Sequence, residues 1–133
     1  MKIGIVGARI YENKKKIKDF IIKLVKEHGD GLVIISGGCK DGADKYVKKY
    51  ALELGAQYNE YPPAHFPHNL YCPLREHNYG KQYHVKNYFA RNKQIAIYSD
   101  YVVGFIPEGH TSNGTNNTLK YAKKFNKKTL IID

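Results

Sequence analysis

The sequence predicts a three-layer α/β domain: one mainly parallel five-stranded sheet, strand order 3-2-1-4-5, with helices on both faces. Three observations lead there. Short apolar runs alternate with amphipathic stretches along the whole chain, the pattern of strand–helix–strand units rather than of hairpins. Glycine-bearing turns follow the first, second and fourth of those runs, at Gly7, Gly37-Gly38 and Gly109 to Gly114. The chain has 133 residues, 42% of them hydrophobic and 26% charged, which suits a single soluble unit with a real core.

Lys2 to Val6 is a nearly all-apolar run that stops at Gly7, so it reads as a central strand, with Gly7-Ala8-Arg9 as the turn after it. From Lys14 to His28 the apolar residues Ile17, Phe20, Ile21, Leu24 and Val25 recur at helical spacing, and Gly29-Asp30-Gly31 ends the helix. Leu32 to Ile35 is the second strand, and the loop Ser36 to Asp44 opens a helix that runs to Leu54, with Gly55 as its stop. Ala56 to Tyr61 reads as a weaker third strand.

Pro62-Pro63 then breaks regular structure, and a polar and aromatic segment inserted at about residues 62–80 has the length of a lid or binding loop. A helix resumes before Tyr88 and runs to about Ser99, closed by Asp100. Tyr101 to Ile106 is the fourth strand, Thr115 to Phe125 the last helix, and Thr129 to Ile132 the final strand. There is no internal repeat and no linker, so residues 1–133 are expected to form one domain.

The formal net charge of +10, from 22 Lys+Arg against 12 Asp+Glu, favours anionic partners: nucleotides, nucleic acid or phosphorylated metabolites. Much of it also serves as solvating charge; Lys123, Lys124, Lys127 and Lys128 complement a helix C-terminus without any ligand. No apolar run nears the roughly 20 residues needed to span a bilayer, and the N-terminus enters a strand at once with no signal-peptide layout. A cytoplasmic protein without a membrane partner is the expectation. Cys39 and Cys72 make neither a disulfide scaffold nor a zinc pair. His65, His68, His77 and His84 fit no zinc spacing, so neither metal nor cofactor is expected, and these histidines read as loop residues that hydrogen-bond or stack. Tyr71, Tyr79, Tyr83 and Tyr88 would stack on a base or pack against a second copy of the chain.

In an open parallel sheet, ligands bind at the carboxyl ends of the strands where the strand order reverses, here between the first and fourth strands. The walls of that crevice would be Gly7, Ala8 and Arg9; Ser36, Gly37 and Gly38; and the stretch from Gly109 to Thr115. Gly114, Thr115 and Asn116 would offer N–H groups at a helix start, suited to a phosphate. Thr111 and Ser112 either add hydroxyl donors or cap that helix. Arg9 either binds phosphate oxygens or forms a surface ion pair. Asp44 either accepts ribose hydroxyls or bonds the amides of its own helix. Asn92 either reads a base or ribose or fixes the local chain.

The ordered set of these motifs resembles the SLOG superfamily, the Rossmann-like group that includes the DNA-processing protein DprA and the cytokinin-activating LOG proteins, and within it the small YspA/YpsA-related branch. The residues carrying the likeness are Ile5-Val6-Gly7-Ala8-Arg9, Ser36-Gly37-Gly38 with Gly42-Ala43-Asp44, and Pro63-Ala64-His65-Phe66. They continue with Tyr79-Gly80-Lys81, Arg91-Asn92, Asp100 and Gly114-Thr115. The resemblance spans nearly the whole chain, with Pro67 to Asn78 as an insertion.

The resemblance implies a nucleotide or nucleotide-derived ligand, sensed or cleaved, and a homodimer or higher homo-oligomer. LOG-type enzymes hydrolyse the N-glycosidic bond of a nucleoside 5′-monophosphate with an arginine and a glutamate. Arg91 falls at the arginine position, but Thr118 stands where the glutamate is expected, so binding is the stronger expectation than catalysis. Asp41 and Glu108 are the carboxylates best placed to substitute. A single-stranded nucleic-acid-binding module related to DprA is the alternative, prompted by the charge and the many tyrosines.

Overall fold

The computed structural model describes residues 1–39, 41–61 and 85–133. Among these residues five strands form one sheet: β1 (Lys2–Gly7), β2 (Val33–Ser36), β3 (Gln57–Glu60), β4 (Tyr101–Phe105) and β5 (Lys128–Ile132). Their order is β3-β2-β1-β4-β5, with every neighbouring pair parallel. Among the described residues four helices connect them: α1 (Lys14–His28), α2 (Ala43–Glu53), α3 (Val85–Tyr98) and α4 (Asn113–Lys124), with a 3-10 turn at Gly29–Gly31. This is the expected α/β Rossmann-like architecture and strand order. The inserted segment, its histidines and tyrosines, and Cys72 lie outside the described residues.

Side-chain alternation along the strands divides the core in two. Ile3 and Ile5 of β1, Ile34 of β2, and Val103 and Phe105 of β4 meet Ile17, Ile21 and Leu24 of α1 and Val47 and Ala51 of α2. Their neighbours Val6, Ile35 and Val102 face the other way, onto Ile95 and Ala96 of α3 and Leu119 and Ala122 of α4. On that second face, side chains on Gly4 and Gly104 would crowd Ile95 of α3 and Ser99 just after it, and Thr115 and Leu119 of α4. Glycine there lets the helices sit close to the sheet. Among the described residues, no helix is long and apolar enough to cross a membrane.

Helix α4 begins two residues earlier than the sequence predicts. Ser112 is its N-cap: its hydroxyl accepts the Thr115 amide at 3.4 Å, and its carbonyl accepts the Asn116 amide at 2.9 Å. These bonds close the first turn before Gly114. Gly114 and Thr115 therefore lie inside that turn rather than opening it.

Candidate functional site

Parallel topology brings the β1–α1, β2–α2 and β4–α4 loops to the carboxyl edge of the sheet, and hydrogen bonds tie the first two to each other and to β4. The Ala8 amide donates to the Phe105 carbonyl at 2.9 Å, and the Ala43 amide donates to the Ala8 carbonyl at 3.1 Å. The start of α2 thus lies across the end of β1. That crossing depends on Gly42, whose φ is +68° and where a side chain would run into the Ala8 and Arg9 carbonyl groups. Arg9 itself has an exposed side chain at this edge.

Under the β2–α2 loop sits a buried polar cluster. Gly37 lies over Arg91 and Asp44 so closely that a Cβ would collide with the guanidinium. Arg91, 9% exposed, donates from Nη1 to the Gly37 carbonyl and from Nε to Asn92 Oδ1, each at 2.8 Å. Asp44 Oδ2 accepts the Cys39 amide at 3.2 Å. Arg91 and Asp44 thus hold the loop at two points, Gly37 and Cys39.

Burial pushes the Asp44 carboxyl up to about 6, and the Glu60 carboxylate adds to the rise. Arg91, the Cys39 amide and the Ser36 hydroxyl pull it back without overcoming burial. The Ser36 hydroxyl is near enough to favour the charged form of Asp44 but is not aligned as a hydrogen bond to it.

Tyr58 and Glu60 complete the cluster from β3. Tyr58 donates its hydroxyl to Glu60 Oε1 at 3.0 Å, and burial, then the neighbouring Glu60, raises its pKa. Glu60 also pairs with Lys48 at 3.2 Å and stands beside Gly38, whose φ is +71°. Sequence reasoning did not single out either residue. The signal available was register: Glu60 ends the strand beside β2, opposite Ser36, and Tyr58 shares its face.

At α4, the Thr115 side chain is buried and its hydroxyl is 2.7 Å from that of Ser112. Asn92 Nδ2 donates to the Gly114 carbonyl at 3.3 Å and to Asn117 Oδ1 at 3.1 Å, joining α3 to the start of α4. Thr118 is buried and donates to the same carbonyl at 3.1 Å. Thr111, Gly114 and Asn116 are exposed, and a side chain at Gly114 would meet open space.

The three candidate catalytic residues occupy different places. Arg91 is turned to Gly37 and Asn92, and Asp41 is exposed on the loop before α2. Glu108 lines a separate open cleft of about 420 Å³ with Tyr11, Asn13, Lys16, Pro107 and Asp133. In that cleft the Lys16 ammonium donates to the Asp133 backbone oxygen at 2.6 Å and pairs with its carboxylate at 3.3 Å.

No family model matches this sequence, and no curated protein does. Among solved structures the chain is similar to the molybdenum cofactor carrier protein MCP from Chlamydomonas reinhardtii, with 18% identity and a TM-score of 0.64. The match covers 98% of this chain and 74% of that one, a likeness of fold.

Proposed function

We propose that this chain binds a nucleotide or nucleotide-derived small molecule in the crevice at the carboxyl edge of the sheet, and that it is a SLOG-related protein. The observation that carries the reading is the interlocking of the β1–α1 and β2–α2 loops over a buried cluster containing an Asp with a strongly shifted pKa. Glycines at 7, 37 and 42 have no room for side chains, and such perturbed groups gather at functional sites. The first-turn amides of α4 at Asn113 and Gly114, with Thr111 and Arg9, are the natural contacts for a phosphate. A neighbour of the same fold is a cofactor carrier, which supports small-ligand binding as a use of this architecture.

Binding fits better than hydrolysis. Thr118 is committed to the Gly114 carbonyl, and Arg91 acts as a positioning residue for the Gly37 loop. Calorimetric titration with AMP, ADP-ribose and NAD tests the reading, with saturable binding of at least one expected. Absence of binding by all three at millimolar concentration would sink it. Release of free base during the titration would assign the N-glycosidase reaction after all, with Asp41 and Glu108 the carboxylates to substitute first. Preference for a labelled single strand over every mononucleotide would instead favour the nucleic-acid reading.

A further inference from the structure

Two polar atoms at the carboxyl end of β2 are buried and have no hydrogen-bond partner among the described residues: Ser36 Oγ and Asp44 Oδ1. Ser36 is fully buried and Asp44 is 6% exposed. The Ser36 hydroxyl, donor and acceptor in one, stands near Asp44 without being aligned to it. A buried hydroxyl and a buried carboxylate oxygen left unmatched each cost free energy, so the two call for partners. The nearest groups are directed elsewhere. Tyr58 donates its hydroxyl to Glu60, and Arg91 Nη1 and Nε go to Gly37 and Asn92. The Cys39 amide already serves the other Asp44 oxygen. Gly37 lies over this cluster without a side chain of its own, against the Arg91 guanidinium and Asp44 Oδ2.

The charge balance selects the kind of donor. Asp44 and Glu60 face this spot against one guanidinium, Arg91, and Lys48 is paired with Glu60. A phosphate here would meet two carboxylates. A neutral pair of hydroxyls, each able to donate and to accept, matches a carboxylate oxygen beside a serine hydroxyl.

We propose that Ser36 and Asp44 form a hydroxyl-binding subsite, beneath the Gly37 backbone, that takes the paired hydroxyls of a ligand's sugar ring. This rests on the nucleotide reading above and deepens it: the sugar lies at β2, and the phosphate lies towards α4. The ligand reaches the two atoms by displacing the glycine cover. Asp44 must be ionised to accept both its bonds, so a proton on it competes with the sugar. The charged and titratable groups around it are Arg91 from α3, Glu60 and Tyr58 from β3, and Lys48 of α2 through Glu60.

The test is calorimetric titration of the whole chain with AMP and with 2′,3′-dideoxy-AMP, in wild type, Asp44→Asn and Ser36→Ala. Thermal melting verifies that each variant is folded, and the conservative Ser36→Ala keeps the test open should Asp44→Asn not fold. Wild type should bind AMP about tenfold or more tighter than the dideoxy analogue, the size expected of one lost hydrogen bond to a charged acceptor. Each variant should discriminate less between the two nucleotides than wild type does, and Asp44→Asn least, since it loses the charged acceptor. Acidification from about pH 7.5 to about pH 5 should weaken AMP binding more in wild type than in Asp44→Asn, where only the second ionisation of the phosphate, at about 6, remains. Equal affinity of wild type for AMP and its dideoxy analogue would overturn the subsite, leaving Ser36 and Asp44 to hold a buried water only, while nucleotide binding itself stands. If neither nucleotide binds, the function proposed above fails and the subsite fails with it.

Discussion

Asp44 holds its proton more tightly in the folded chain than in the unfolded one, because its folded value is about 6 against an ordinary 3.8. The stabilisation from this group is therefore complete below about pH 4 and is lost as the pH rises through 6. A shift of about two units corresponds to roughly 3 kcal/mol at neutral pH. Asp44→Asn should then raise the melting temperature at about pH 7.5 and flatten the dependence of stability on pH between about 4 and 6. A lower melting temperature at neutral pH, with the pH dependence unchanged, would mean that the ionised carboxylate is a net support of the loop.

Glycines at the two helix starts make a second contrast at this scale. Gly42→Ala puts a Cβ against two backbone carbonyl groups at a positive φ, which should cost about 2 kcal/mol or more. Gly114→Ala meets open space inside the first turn of a helix and should be neutral or stabilising by up to about 1 kcal/mol. Chemical denaturation of the two variants measures both; similar losses would contradict the packing described at α2.

Helix α4 is the element on which the candidate site turns. Its first turn is closed by Ser112, and Ser112→Ala should cost about 1 kcal/mol by leaving the Thr115 amide without its cap. Urea denaturation would register the loss, and an unchanged midpoint would show that the cap is dispensable. This helix also marks where the sequence stopped being readable. The Gly114-Thr115 pair suggests a helix opening, but which residue caps the turn depends on the bonds Ser112 finally makes.

Strand runs such as Lys2–Gly7 and Tyr101–Phe105 were legible because a fully covered parallel strand needs an unbroken apolar stretch. Gly37-Gly38 and Gly42 were legible as a loop for the same local reason. The contribution of Tyr58 and Glu60 was not. They join the cluster only through the pairing of β3 with β2, a contact between distant parts of the chain. Arg91 was found by its place in an ordered motif, but its commitment to Gly37 follows from how α3 packs beneath the β2 loop.

For the molecule as a whole, the strand order β3-β2-β1-β4-β5 sets the geometry of the account. It places the reversal point between β1 and β4, where Ala8 is bonded to Phe105 and α2 crosses the end of β1. Two partial sites flank that point. On one side lie the buried acid cluster of β2, β3, α2 and α3 and the first-turn amides of α4. On the other lies the open cleft of Lys16, Glu108 and Asp133. A nucleotide held as proposed touches the first side and leaves the second alone.

Backbone amide NMR of the whole chain titrated with AMP separates the two sides directly. The account expects saturable shifts at Ala8 and Arg9, at Gly37 to Cys39, and at Asn113 to Thr115, with Glu12, Lys16 and Glu108 unmoved. No shifts at millimolar AMP, or shifts centred on Lys16 and Glu108 with the β2–α2 loop silent, would contradict it.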